Sequence, residues 1–221
     1  MTQSQPDGFL AVPPAGKGPA VLVLHAWWGL NGTIKAFCTR LAESGFTVFA
    51  PDLYHGKVAK TIPDAEALGG TVDANHLQIK AEIADAAKFL GERVGDAGRG
   101  LTVIGFSLGA YFALDLSAAD PEHIRSVVVF YGTQGDFFSD FSNSKADYLG
   151  HFAENDEYEP KSNADALETR LRDAGRPVTF HVYSGTGHWF FEPDVKQAYN
   201  EAAANLAWDR TLAFLRRSST S

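Results

Sequence analysis

Strand-sized apolar runs alternating with longer segments of helical period constrain this chain most, because that alternation builds βαβ units around a largely parallel sheet. The runs are Val21 to His25, Thr47 to Ala50, Leu101 to Phe106, Ser126 to Tyr131, Tyr148 to Phe152 and Val178 to Tyr183. Unbroken hydrophobicity at strand length predicts burial on both faces. Phe9 to Val12 is a candidate edge strand. Between the runs, Ile34, Phe37, Cys38 and Leu41 share one helical face, with Gly45 as the stop. Further helices are predicted from about Ala74 to Val94, Leu108 to Ser117, Ser162 to Ala174 and Asp194 to Arg217. In the last of these, Val195, Tyr199, Ala202 and Leu206 make the inward stripe. The polar, glycine-containing stretch from His55 to Asn75 reads as irregular, a candidate mobile covering rather than a second domain. The fold class is therefore α/β, with one domain expected over residues 1–221.

Composition narrows the partners. A chain of 221 residues with 45 % hydrophobic content buries enough surface to hold a core without disulfide or metal. Cys38 stands alone, so no intrachain bridge is possible. The formal net charge is −8 with no basic stripe, which argues against nucleic acid and anionic membranes as partners. Met1 to Gly18 has no signal-peptide pattern, and the apolar stretches are too short to span a bilayer, so a cytoplasmic location is expected.

The sharpest local signal is Gly105-Phe106-Ser107-Leu108-Gly109, directly after one apolar run and directly before a helical segment. A glycine-flanked turn with an ordinary serine shows the same letters; the strand before and helix after distinguish a nucleophile. Such a turn forces the serine into a strained backbone and presents its oxygen at a helix N-terminus, where developing negative charge is favoured. A serine hydroxyl needs a base, itself oriented by a carboxylate, and where this elbow occurs the chain order is serine, acid, histidine.

Of seven histidines, His188 lies in a glycine-rich loop after the last predicted strand. His25, His55, His76, His123 and His151 do not follow the last strands, and His181 falls within one. Asp156, just beyond the strand ending near Phe152, is the preferred acid; Glu154 and Glu157 are chemically able to substitute, with Asp136 and Asp140 as fallbacks. The backbone N–H of Leu108 is one candidate oxyanion donor, and that of Trp27, in the loop after an earlier strand, is the other.

These segments together resemble the dienelactone hydrolase family, which includes carboxymethylenebutenolidase-like esterases. The resemblance covers nearly the whole chain and rests on His25 to Leu30, Ala50 to Tyr54, Gly105 to Gly109, Asp156 and Gly187-His188. It implies an α/β-hydrolase fold with no large cap domain, hydrolysis of esters or lactones, and no cofactor or metal. Ser107 stands where the family usually has cysteine, and Ala26 where it commonly has the glutamate that helps generate the thiolate. Both departures point to a serine–histidine–aspartate relay. Glu192 stands where relatives that bind carboxylated dienelactone carry arginine.

The expected partner is a small ester or lactone, met by a monomer or small homo-oligomer. The residues expected to border the site are Trp27, Trp28, Tyr54, Phe106, Trp189 and Phe190, an aromatic set without arginine that favours neutral substrates over anionic ones. Lys57 and Lys60 would reverse this if their segment folded over the site. Thioester or peptide cleavage shares the same site, and a binding protein that keeps the fold without catalysis is the reading from another class.

Overall fold

A computed structural model describes residues 4–95, 100–135 and 137–218. Seven strands form one sheet: β1 (Gly8–Ala11), β2 (Ala20–Leu24), β3 (Thr47–Pro51), β4 (Leu101–Phe106), β5 (Ile124–Phe130), β6 (Asp147–Ala153) and β7 (Val178–Tyr183). Their spatial order is β1-β3-β2-β4-β5-β6-β7, with β1 antiparallel to β3 and every other pair parallel. The helices are α1 (Gly32–Glu43), α2 (Ile62–Ala74), α3 (His76–Val94), α4 (Leu108–Ala119), α5 (Lys161–Asp173) and α6 (Glu201–Ser218).

Strand alternation divides the core in two. Val21, Val23, Ile104, Phe106, Val128 and Phe130 face α1 and α6, while Leu22, Leu24, Val103, Val127 and Val129 face α3 and α4. Residues i and i+2 point the same way along a strand, so a continuous apolar run supplies both layers. The chain leaves β2 for β3 on one side, then returns past β2 to β4 on the other. This reversal opens a crevice beyond the carboxyl ends of β2 and β4, where open α/β sheets bind ligands.

Four expectations need correcting. Residues 62–74 are helical: Thr61 and Asp64 form a reciprocal capping box, with proline in the first turn. α6 starts at Glu201 because Asn200 caps it, its Oδ1 accepting from the Ala203 N–H at 3.0 Å, whereas residues before it are held in turns. Its inward face is Ala204, Ala207, Trp208, Thr211, Phe214 and Leu215, and the expected stripe residue Leu206 is 45 % exposed. β7 is half-exposed rather than buried on both faces, because it is the last strand of the sheet. The edge strand β1 is offset by one residue from its predicted range.

Candidate active site

Ser107 sits between β4 and α4 with φ 49° and ψ −112°, a strained left-handed conformation for a residue with a Cβ. Its N–H donates to the Phe130 carbonyl of β5 at 2.9 Å, which anchors the turn. The close approach of α4 requires both flanking glycines. A Cβ at 105 would meet the Gly109 carbonyl, and one at 109 would meet the Leu24 and His25 carbonyls at the end of β2.

Loops after β6 and β7 bring the other two groups to this turn. His188 Nε2 lies 2.9 Å from Ser107 Oγ, and His188 Nδ1 lies 2.8 Å from both carboxylate oxygens of Asp156. A carboxylate only accepts, so Nδ1 carries the proton and Nε2 is left to accept from the serine hydroxyl. Asp156 is itself fixed, its Oδ1 accepting the backbone N–H groups of Tyr158 at 2.9 Å and Glu159 at 2.8 Å. Both side chains are nearly inaccessible to solvent. Ser107, Asp156 and His188 are thus brought together.

The other acids have different places. Glu154 accepts from the Gly185 N–H and the Ser184 hydroxyl, pinning the histidine loop. Glu157 is exposed, and Asp140 caps its own turn by accepting from the Ser142 N–H. Asp136 lies outside the described residues. His25 is buried, with Nδ1 2.8 Å from the Ala26 carbonyl and Nε2 accepting from the Leu53 N–H at 3.1 Å. Burial lowers its pKa, and the neutral ring ties the Trp27 loop to the turn after β3.

A cavity of about 250 Å³ opens over Ser107 and His188. Of the expected lining, Trp27 and Trp189 border it, as does Leu108, the expected oxyanion donor. Trp28 instead packs on Trp189, ring centroids 5.3 Å apart. Phe106 is 1 % exposed and stacks on Phe130 at 4.5 Å, because strand alternation turns it into the α1–α6 layer. Phe190 is buried against Tyr131 and Tyr183. Tyr54 borders a separate cavity of about 220 Å³ with Lys57, beneath α2 and α3. Lys60 meets the N-terminus of α2, so neither lysine reaches the space over Ser107. A larger cavity, about 640 Å³, lies at the opposite ends of the strands, away from Ser107.

Tyr111, Tyr131, Gly132, Thr133, Tyr158 and Glu159 complete the lining and lie outside the expected set. Signals for them existed: Tyr111 lies one helical turn beyond Ser107, Tyr131 to Thr133 follow the end of β5, and Tyr158 and Glu159 follow Asp156. Glu192 does not border the cavity. It is fully buried, accepts from the Tyr131 hydroxyl, and burial pushes its pKa up to about 8. Ala26 is buried in the core and brings no carboxylate. Among the described residues no cluster could hold a metal ion, and no helix is long and apolar enough to cross a membrane.

The doubly wound sheet and the strand–serine–helix turn at its crevice define an α/β hydrolase. The dienelactone hydrolase family model matches residues 7–219. Among curated proteins, Protein usf of Aquifex pyrophilus is 32 % identical over 213 residues, covering 95 % of this chain and 92 % of that one. A protein of Aquifex aeolicus named as a candidate carboxymethylenebutenolidase is 30 % identical with the same coverage. Among solved structures, a candidate dienelactone hydrolase from Klebsiella pneumoniae superposes with TM-score 0.79 at 26 % identity, covering 93 % of this chain and 90 % of that one. The chain belongs to the dienelactone hydrolase family and is a hydrolase of that family.

Proposed function

We propose that this hydrolase cleaves small carboxylic esters or lactones through a Ser107–His188–Asp156 relay and an acyl-enzyme. The observation that carries the reading is the continuous line of contacts, 2.9 Å from Ser107 Oγ to His188 Nε2 and 2.8 Å from His188 Nδ1 to Asp156. Attack by Oγ on the carbonyl carbon passes the hydroxyl proton to Nε2, and the resulting imidazolium is stabilised by the Asp156 carboxylate. Collapse of the tetrahedral intermediate breaks the bond to the leaving oxygen, which takes the proton from Nε2. Water then repeats the sequence on the acyl-serine, releasing the acid and restoring Ser107.

The oxyanion faces the N–H of Leu108, the first residue of α4, where helix N–H groups lack intrahelical acceptors. The Trp27 N–H is the second donor. No cofactor or metal takes part in any step. With no lysine or arginine on the cavity wall among the described residues, a substrate carboxylate would be desolvated without a partner, so neutral substrates are favoured over anionic ones. Labelling with a fluorophosphonate tests the reading. One covalent adduct on Ser107, absent from Ser107→Ala and slowed in His188→Ala, is expected; an unlabelled or differently labelled protein overturns it.

A further inference from the structure

Ester cleavage does not itself require Glu159, yet this residue borders the cavity over Ser107, with its carboxylate on Thr133 of the same wall. It is built in: Oε2 accepts from the Thr133 N–H at 2.7 Å, and Oε1 accepts from the Thr133 hydroxyl at 2.9 Å and the Asn163 amide at 2.8 Å. These donors are all neutral, so they fix the position of the charge without cancelling it. The second carboxylate of the site, Asp156, stands behind His188, and no lysine or arginine borders the cavity among the described residues.

Trp27, Tyr111, Tyr131, Tyr158 and Trp189 give the same wall an aromatic share. Tyr158 is 46 % exposed and touches three neighbours by ring: Trp27 at 6.1 Å, His188 at 5.2 Å and Trp189 at 4.8 Å between centroids. Tyr111 and Tyr131 also border the cavity. Aromatic faces attract a cation through their quadrupoles, and a fixed carboxylate beside them adds a full charge, which together make a site for alkylated ammonium. A neutral group of the same shape gains only the packing.

Catalysis sharpens the distinction. The tetrahedral intermediate places an oxyanion in a cavity bordered by Glu159, and a cationic substituent on the substrate offsets that charge as it develops. The acidic protein as a whole, at −8, steers cations the same way.

We infer that the cavity selects small esters whose acyl or alcohol part carries an alkylammonium group, with Glu159 as the residue that sets this preference. The inference rests on the hydrolase reading above and names the substrate class for the same site.

The test compares kcat/KM for acetylcholine with that for its uncharged isostere 3,3-dimethylbutyl acetate, in the wild type, Glu159→Gln and Glu159→Asp. The ratio is the readout, so a loss of folded enzyme cancels. A wild-type ratio of roughly 10- to 100-fold toward the cation is expected, retained in large part by Glu159→Asp and brought close to one by Glu159→Gln. A matching measurement without turnover is protection of Ser107 from fluorophosphonate by tetramethylammonium, expected in the wild type and weakened in Glu159→Gln. Hydrolysis of the neutral ester with a ratio near one, or a ratio unchanged by Glu159→Gln, overturns the inference while leaving the hydrolase reading intact. Cleavage of neither ester overturns the inference alone, and failure to label Ser107 overturns both.

Discussion

The Tyr131 hydroxyl donates to Glu192 Oε1 at 2.7 Å, joining a ring on the cavity over Ser107 to a carboxyl that solvent does not reach. Glu192 Oε2 has no partner among the described residues, and Asp194 nearby adds to the cost of ionising this acid. The folded-state pKa of about 8 stands above the ordinary 4.5, so the folded protein holds a proton that the unfolded chain releases between those values. Stability from this group is complete below pH 4.5 and is lost as pH rises through 8. Glu192→Gln removes the titration and keeps an acceptor for Tyr131. Urea denaturation at pH 6 and pH 9 should show the wild type losing stability relative to the variant, with a slope no steeper than about 1.4 kcal/mol per pH unit. Parallel curves would mean Glu192 is ionised throughout.

His151 produces the opposite dependence. Its ring is fully buried in β6, Nδ1 2.8 Å from the Tyr183 hydroxyl and Nε2 2.9 Å from the Thr211 hydroxyl. Burial, with His181 and Arg210 nearby, holds its pKa well below 6.5. The unfolded chain therefore takes up a proton that the folded state refuses, and stability falls as pH drops below 6.5. His151→Gln should lose less stability between pH 7 and pH 5 than the wild type. An equal loss would assign the acid sensitivity to other groups.

Truncation of the relay should be severe. Ser107→Ala and His188→Ala are each expected to lower kcat on an activated ester by roughly 10⁴-fold or more, because such residues act as a unit. Asp156→Asn should cost somewhat less.

Gly69 of α2 lies against the indole of Trp27, and a Cβ there would approach the indole nitrogen to 2.5 Å. Gly69→Ala should drive the ring toward the cavity, raising KM by roughly three- to tenfold with a smaller change in kcat, as overpacking shifts side chains before it unfolds a site. The helix itself gains, since alanine is favoured over glycine by about 1 kcal/mol. Steady-state kinetics with a thermal melt separate the two effects. Unchanged KM would show that Trp27 has room to move aside.

The sheet and the meeting of Ser107, Asp156 and His188 depend on local order that the chain itself carries: an apolar run, then a turn, then the polar residue. Ser107, Asp156 and His188 each follow the carboxyl end of a strand, and parallel strands carry those ends to one edge whatever the helices do. Residues 62–74 read as irregular because Gly69 and Gly70 lower helix propensity; the capping box at Thr61 and packing against Trp27 and α3 override that penalty.

The cavity wall was decided only by the tertiary structure. Whether an aromatic residue beside Ser107 turns to solvent or to core depends on strand alternation and on which loops cross above it, and neither is a property of composition. Phe106 adjoins Ser107 yet is buried, while Tyr158 and Glu159, more than fifty positions away, reach the cavity through the turn that fixes Asp156. Glu192 shows the same division: its place four residues after His188 was readable, but its burial behind Tyr131 follows from how residues 189–200 fold back before α6. Local hydrogen bonding and side-chain period are written in neighbouring residues, whereas the shape and charge of a cavity are sums over loops that only the folded chain brings into contact.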